Sequence, residues 1–304
     1  MTGMAAATET DVRKGRGMWA DAWRQLRRRK LVMVCLGIVL LYVVVAILVY
    51  AGVIAGDWSK AVGDRYQPPS KQHGFGTDIF GQSVWRKTLY GVKVSLTVAF
   101  VASLISITIG VPLGAIAGYF RGRIDDLIVW LFSTVQSIPW ILLILAFAFV
   151  LRGKTLFGLP LRGMAVVYLA IGLTSWVGIC RIIRGEVIKH RERDYVMAAR
   201  AYGCSRGRII IHHVIPNVFH LVLISFSLRF VSFIHAEVIV SFLGLGVENE
   251  PSWGAMIDEA RIELSRGFWW QMTAATIAIA LISLALNVVG DALRDALDPK
   301  LREA

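Results

Sequence analysis

RDYVMAARAYGCSRGRIIIHHVIPN, residues 193–217, lies between two long apolar runs and is itself too polar to cross a bilayer. Ala198, Ala199 and Ala201 are small, strong helix formers. Gly203 interrupts that helical run and Gly207 follows. Ile209, Ile210 and Ile211 begin a second short helical run, which Pro216 closes. The pattern predicts a short helix, a turn and a second short helix on one side of a membrane. Its small residues leave a low-relief surface that another protein can approach closely. An amphipathic loop resting among lipid headgroups fits the same pattern.

The chain around this stretch has the composition of a membrane protein. Of 304 residues, 56% are hydrophobic and only 18% are charged, too apolar for an ordinary soluble domain. The net charge of +12 would suggest nucleic acid in a soluble protein. Here most Lys and Arg flank apolar runs, so membrane topology accounts for the charge and no nucleic-acid partner is expected. Cys35, Cys180 and Cys204 are odd in number and dispersed, which predicts free thiols rather than a disulfide framework or a zinc site.

Working outward, residues 1–30 end in the basic run Arg24, Arg27, Arg28, Arg29 and Lys30 and are expected in the cytoplasm. Residues 31–56 are longer than a signal-peptide core and carry no Ala-x-Ala cleavage site, so they read as an uncleaved first span. Residues 57–91 are polar and expected outside. Their His73 and Asp78 are too few ligands for a metal site. Residues 92–290 hold five more spans, near 92–119, 127–151, 164–180, 218–246 and 268–289, and residues 291–304 form a cytoplasmic tail. The basic loop 181–217 contains the opening stretch, with Arg181, Arg184, Lys189, Arg191, Arg193, Arg200, Arg206 and Arg208. The resulting expectation is an all-α protein with six transmembrane helices and both ends inside.

Inside the spans a few residues stand out. Gly110, Gly114 and Gly118 recur every four residues and line one helix face where another helix can approach closely. Pro112 is expected to kink that helix. Gln136, beside Ser137 and Pro139, either lines a pathway or bonds a neighbouring helix. Arg229, His235 and Glu237 are costly in hydrocarbon unless they face protein or water. His235 and Glu237 are two apart, so they point about 200° away from each other on a helix, which argues against a joint site. Glu237 reads as a pathway or subunit-interface residue, or as a charge snorkelling from a tilted helix. No GxxxxGK[ST] phosphate loop, HExxH or GxSxG occurs, so the chain is not expected to hydrolyse ATP or act as a hydrolase.

Several motifs resemble one family. Ala198-Ala199, Gly203 and Pro216 are spaced as in the cytoplasmic loop of ABC-importer permeases, although Met197 stands where that family usually has Glu and His213 where it has Ile. The His213–Asn217 form HVIPN resembles the peptide branch of the family, as do Gly76-Thr77-Asp78 with Gly81, Gly118-Tyr119-Phe120 and Ile138-Pro139. So do Glu237 with VSFLGLG (240–246), Pro251-x-Trp253-Gly254-x-Met256, Trp269-Trp270 and GDALRDALDP (290–299). Phe75, Gln82-Ser83 and Ser133 depart from that branch's usual Leu, Arg-Asp and Asp.

The resemblance covers about residues 20–300 and is to the second permease subunit of a dipeptide/oligopeptide/nickel-type ABC importer. It implies the type I importer permease fold in the cytoplasmic membrane. It also implies a coupling helix formed by Tyr195, Ala198, Ala199, Ala201, Gly203 and Pro216 that docks on an ATPase. The partners implied are a homologous sister permease, two ABC ATPase subunits and an extracytoplasmic substrate-binding protein. ATP and Mg2+ would sit on the ATPases, with no cofactor on this chain. The acidic outer segment 247–268 would then meet the binding protein, or be a solvated amphipathic helix. Nickel-chelate or oligosaccharide uptake fits the same family. The rival from another class is a stand-alone secondary transporter or channel, for which Arg229, His235 and Glu237 would be the working charges.

Overall fold

Hydrocarbon leaves a backbone amide no water to bond, so apolar segments that cross it fold as helices. The structure is a computed structural model that describes residues 26–156 and 158–297. Arg24, Asp298 and Pro299, with the polar N-terminal segment, lie outside the described residues. The long helices are α1 (Lys30–Tyr50), α2 (Val84–Phe120), α5 (Met164–His190), α8 (Ile215–Phe242) and α10 (Trp270–Leu297). Between them lie α3 (Gly122–Gln136), α4 (Trp140–Leu151), α6 (Asp194–Ala201), α7 (Arg206–Ile209) and α9 (Trp253–Leu264). Among the described residues, five continuous helices are long and apolar enough to cross a membrane. The sixth expected span is α3 and α4 together, bent by 90° at their break. Cys35, Cys180 and Cys204 are free.

Helix ends differ from the hydropathy reading in several places. α2 begins at Val84, so the end of the expected outer segment 57–91 is helical. α5 runs on to His190, and its last three turns lie in what reads as the loop 181–217. α10 continues through Leu297, inside the expected tail. Pro216 does not close a short helix. Residues Ile210–Val214 form a π-helical turn that runs straight into α8, with Pro216 in the first turn of that helix. The helical run therefore continues through Pro216, and the wider π-turn just before it is where the hydrogen bond that the proline cannot donate is accommodated. Pro112 lies within α2, which continues through it.

The centre of the fold is the pairing of α2 with α5, the most extensive helix contact. Lipid tails are as apolar as leucine, so this pairing depends on close approach rather than on hydrophobic transfer. The glycine stripe provides it. A Cβ at Gly110 would lie 2.7 Å from the Trp176 carbonyl oxygen, one at Gly114 2.5 Å from that of Cys180, and one at Gly118 2.7 Å from that of Arg184. Each glycine therefore rests on the α5 backbone itself. Arg184 then reaches α3 and binds Asp125 through two parallel hydrogen bonds of 2.5 and 2.8 Å. This bidentate ion pair fixes the turn after α2 and lets α5 carry its charged end as helix.

Candidate functional site

Three motif segments that are far apart in sequence meet at one end of the bundle. Trp253 is fully buried and its indole donates to the Thr88 carbonyl at 3.0 Å. Trp270 donates to the Thr77 carbonyl at 2.8 Å. Asp78 accepts from the amides of Phe80 and Gln82 and binds the ammonium of Lys87 at 2.9 Å. That ammonium also donates to Glu259 at 2.7 Å, and Gln271 donates to the same carboxylate at 2.8 Å. Lys87 is 3% exposed and Asp78 is fully buried, so each neutralises a charge the other could not bury alone. Asp78 is thus an ion-pair partner of Lys87. Among the described residues no group of three His, Cys, Asp or Glu could hold a metal. The Lys87–Asp78–Glu259 joint went unread in the sequence; the signal was a lone Asp followed nine residues later by a Lys.

Glu263 lies beside this joint in α9. Both its carboxylate oxygens are buried without a hydrogen-bond partner among the described residues. Burial, then the Asp78 and Glu259 carboxylates, push its pKa up from 4.5 to about 7, and Lys87 pulls it the other way.

The opposite end carries the opening stretch. Val196 is buried and Ala199 nearly so, in a cluster with Tyr119, Ile183, Val187 and Val214. Ala198, Ala201, Tyr202 and Gly203 are exposed. The sequence reading counts Ala199 in the coupling helix; its side chain turns inward, because residues three apart share a helix face and Val196 faces the core. Gly203 has φ +78°. Its amide donates to the Arg200 carbonyl and that of Cys204 to Ala199, which is a Schellman cap ending α6. Tyr195 is half-buried and lies 2.7 Å from His190 Nδ1. Burial pushes its phenol pKa up, so it stays protonated. Arg200 stacks over the Tyr119 ring, 5.3 Å from its centre. α6 is thereby anchored to the ends of α2 and α5, with its small residues and Tyr202 outward. Pro216 is exposed but lies on α8 rather than on α6.

The break between α3 and α4 opens a cavity of about 650 Å³. Gln136 and Pro139 line it from the break, Thr174, Ser175 and Gly178 from α5, and Arg229 and Ser232 from α8. Gln136 both lines this cavity and accepts a 3.0 Å hydrogen bond from Arg181 of α5. Glu237 and His235 are not brought here. Glu237 is fully buried between α2 and α8 and accepts hydrogen bonds from Ser95 and Ser241, both at 2.7 Å. It does not snorkel. His235 faces the other way and bonds Ser283 of α10 at 2.9 Å.

Long helices joined through a glycine stripe, a broken span and a solute-sized cavity define a multi-pass membrane protein of the transporter class. The chain belongs to the family described as binding-protein-dependent transport system inner membrane component, which matches residues 110–303. The N-terminal TM domain of oligopeptide transport permease C matches residues 17–69. The chain is 36% identical to the dipeptide transport system permease protein DppC of Bacillus subtilis, over 93% of this chain and 86% of that protein. It is 35% identical to the oligopeptide transport system permease protein OppC of Haemophilus influenzae, over 95% of this chain and 91% of that one. Its fold resembles an inward-facing MetNI methionine ABC transporter, with a TM-score of 0.55 at 15% identity, over 69% of this chain and 96% of the other. The architecture is that of the type I ABC importer permeases, and the protein is a multi-pass component of the inner membrane.

Proposed function

We propose that this chain is a permease subunit of an ABC importer that takes up peptides, and that it forms half of the translocation pathway together with a homologous sister permease. The observation that carries this reading is α6, a small-residue helix with one face locked into the core and the other bare. Such a helix can take a push from an ATPase and pass it on without deforming. The exposed residues Ala198, Ala201, Tyr202 and Gly203 meet the ATPase, while Tyr195 and Ala199 hold the helix to the bundle. ATP and Mg2+ sit on two partner ATPases, and this chain has no ATPase site of its own. ATP binding closes the ATPase dimer, α6 moves as a rigid body with α2 and α5, and the pathway turns outward to receive substrate from a binding protein. Hydrolysis resets it. The requirement is a two-state bundle whose balance the ATPase contacts shift.

In this reading both termini and α6 face the cytoplasm, and the Lys87–Asp78–Glu259 end faces the binding protein. Uptake of nickel chelates or oligosaccharides is the alternative within the family. A stand-alone secondary transporter is the alternative that Arg229, in its cavity, favours. A mild-detergent pull-down of the tagged chain from its native membrane tests the proposal. Co-recovery of an ATPase and a second permease in constant ratio is expected. Recovery of the chain alone, after crosslinking as well, overturns it.

A further inference from the structure

We infer that Arg229 is a substrate-recognition residue that binds the terminal carboxylate of a peptide as it passes through the cavity at the α3–α4 break. The inference rests on the peptide-import reading and adds to it a named contact in this subunit.

Arg229 carries the only formal charge among the residues lining the cavity. It makes no hydrogen bond, ion pair or ring contact with any described residue, whereas Arg184, one helix away, is fully engaged by Asp125. An arginine at this depth is costly unless it faces protein partners or water. Here it faces an open cavity of about 650 Å³, within the range of sites that take small ligands. Its guanidinium lies across Gly178, where any Cβ would collide with it. The glycine thus leaves a shelf on α5 along which the planar group can lie with its donors free.

The rest of the wall is neutral. Trp140, Leu143, Val177 and Phe233 give apolar surface, while Ser137 and Ser232 offer hydroxyls. One positive charge in a neutral wall matches a single negative charge, and a doubly charged phosphate would remain half-compensated. A guanidinium fork binds a carboxylate through two parallel hydrogen bonds. An unmodified linear peptide carries one terminal carboxylate, ionised at neutral pH, while its side chains vary. A cavity with one fixed cation and otherwise unspecific walls therefore reads a group that unmodified peptides share whatever their side chains.

The test uses the whole complex, reconstituted in vesicles with its binding protein and ATP. A short apolar peptide is supplied, already loaded on the binding protein, either as the free acid or as the C-terminal amide. The ratio of acid to amide uptake is compared within each variant, so a general loss of flux cancels. The wild type is expected to favour the acid by about 10-fold or more, the size of one charge-assisted bidentate contact. Arg229→Gln should bring the ratio close to one, and Arg229→Lys should give an intermediate value. Gly178→Ala keeps the charge and displaces the guanidinium, so it should also lower the ratio, and it serves if Arg229→Gln does not assemble.

Equal acid and amide uptake by the wild type overturns the inference alone. So does an Arg229→Gln complex that loses its sister permease while its residual transport keeps the wild-type ratio, which would make Arg229 an interface residue. Uptake of neither peptide by an ATP-hydrolysing wild-type complex sinks the peptide reading and this inference with it.

Discussion

Glu237→Ala should destabilise the permease without changing what it transports. Glu237 is fully buried, and its two oxygens accept 2.7 Å hydrogen bonds from Ser95 on α2 and from Ser241 one turn further along α8. Ser241 in turn packs against Gly246 and Gly254, so the carboxyl joins α2 to the turn that leads into α9. Truncation to alanine removes both acceptors and most of a buried side chain. Each serine can fall back on a carbonyl of its own helix, as Ser103 does with Ala99 at 2.7 Å, so the lost hydrogen bonds cost about 1 kcal/mol rather than the full price of two orphaned hydroxyls. The emptied space adds about 2 kcal/mol. Glu237→Gln keeps the volume and one acceptor and should cost about 1 kcal/mol. The expected order is therefore wild type, Gln, Ala, with the alanine variant melting roughly 5 to 10 °C lower. Thermal aggregation of the detergent-solubilised complex, read by size-exclusion chromatography, gives this order directly. Uptake should fall in proportion to the folded complex recovered, with the substrate concentration at half-maximal rate unchanged. A melting point of Glu237→Ala within 2 °C of wild type would refute the reasoning. A shifted half-maximal concentration at normal stability would place Glu237 in the pathway after all.

Gly114→Ala puts a Cβ 2.5 Å from the Cys180 carbonyl oxygen, so α2 and α5 must separate by roughly 1 Å. A loss of about 1 to 3 kcal/mol in thermal stability is expected, and an unchanged melting point would show that the helices do not meet through this stripe. Ala198→Trp adds bulk to the exposed face of α6 at a residue with no special backbone angle, so uptake should fall at least about tenfold with normal membrane insertion. Gly203→Trp would mix that block with strain at φ +78°, which makes Ala198 the cleaner site; full uptake by Ala198→Trp would remove α6 as the docking helix. Glu263 holds its proton up to about pH 7 when folded but only to about 4.5 when unfolded. The folded state binds the extra proton between those values, so stability falls as pH rises from 4.5 to 7 and levels off above. With the carboxylate buried, the loss reaches about 3 kcal/mol by pH 8. Glu263→Gln should flatten that slope and melt higher than wild type at pH 8, and an unaltered slope would mean the proton is held elsewhere.

The apolar runs predict where the spans lie, and four-residue spacing identifies the glycine face of α2 because both depend only on local periodicity. The opposed directions of His235 and Glu237 follow from the same geometry: one meets α10 and the other α2. The helix ends that escaped the sequence share one cause. Hydropathy ends a helix where charge begins, but a charge with a tertiary partner does not end it. α2 starts at Val84 because Lys87, in its first turns, is neutralised by Asp78 and Glu259. α5 passes Cys180 because Arg184 is held by Asp125. Proline misleads for a different reason: the π-turn Ile210–Val214 immediately before Pro216 accommodates the bond its missing amide cannot make, so the helical run passes through it. The cavity was illegible for a stronger reason: it exists only where the 90° break meets two other helices. Arg229 can nonetheless be singled out once those pairings are known. Arg184, Lys87 and Lys93 are each accounted for by an acid on another element. Arg229 has no acid partner among the described residues; it faces the cavity instead, and a charge in a membrane-embedded bundle is costly unless it meets protein, water or a ligand there.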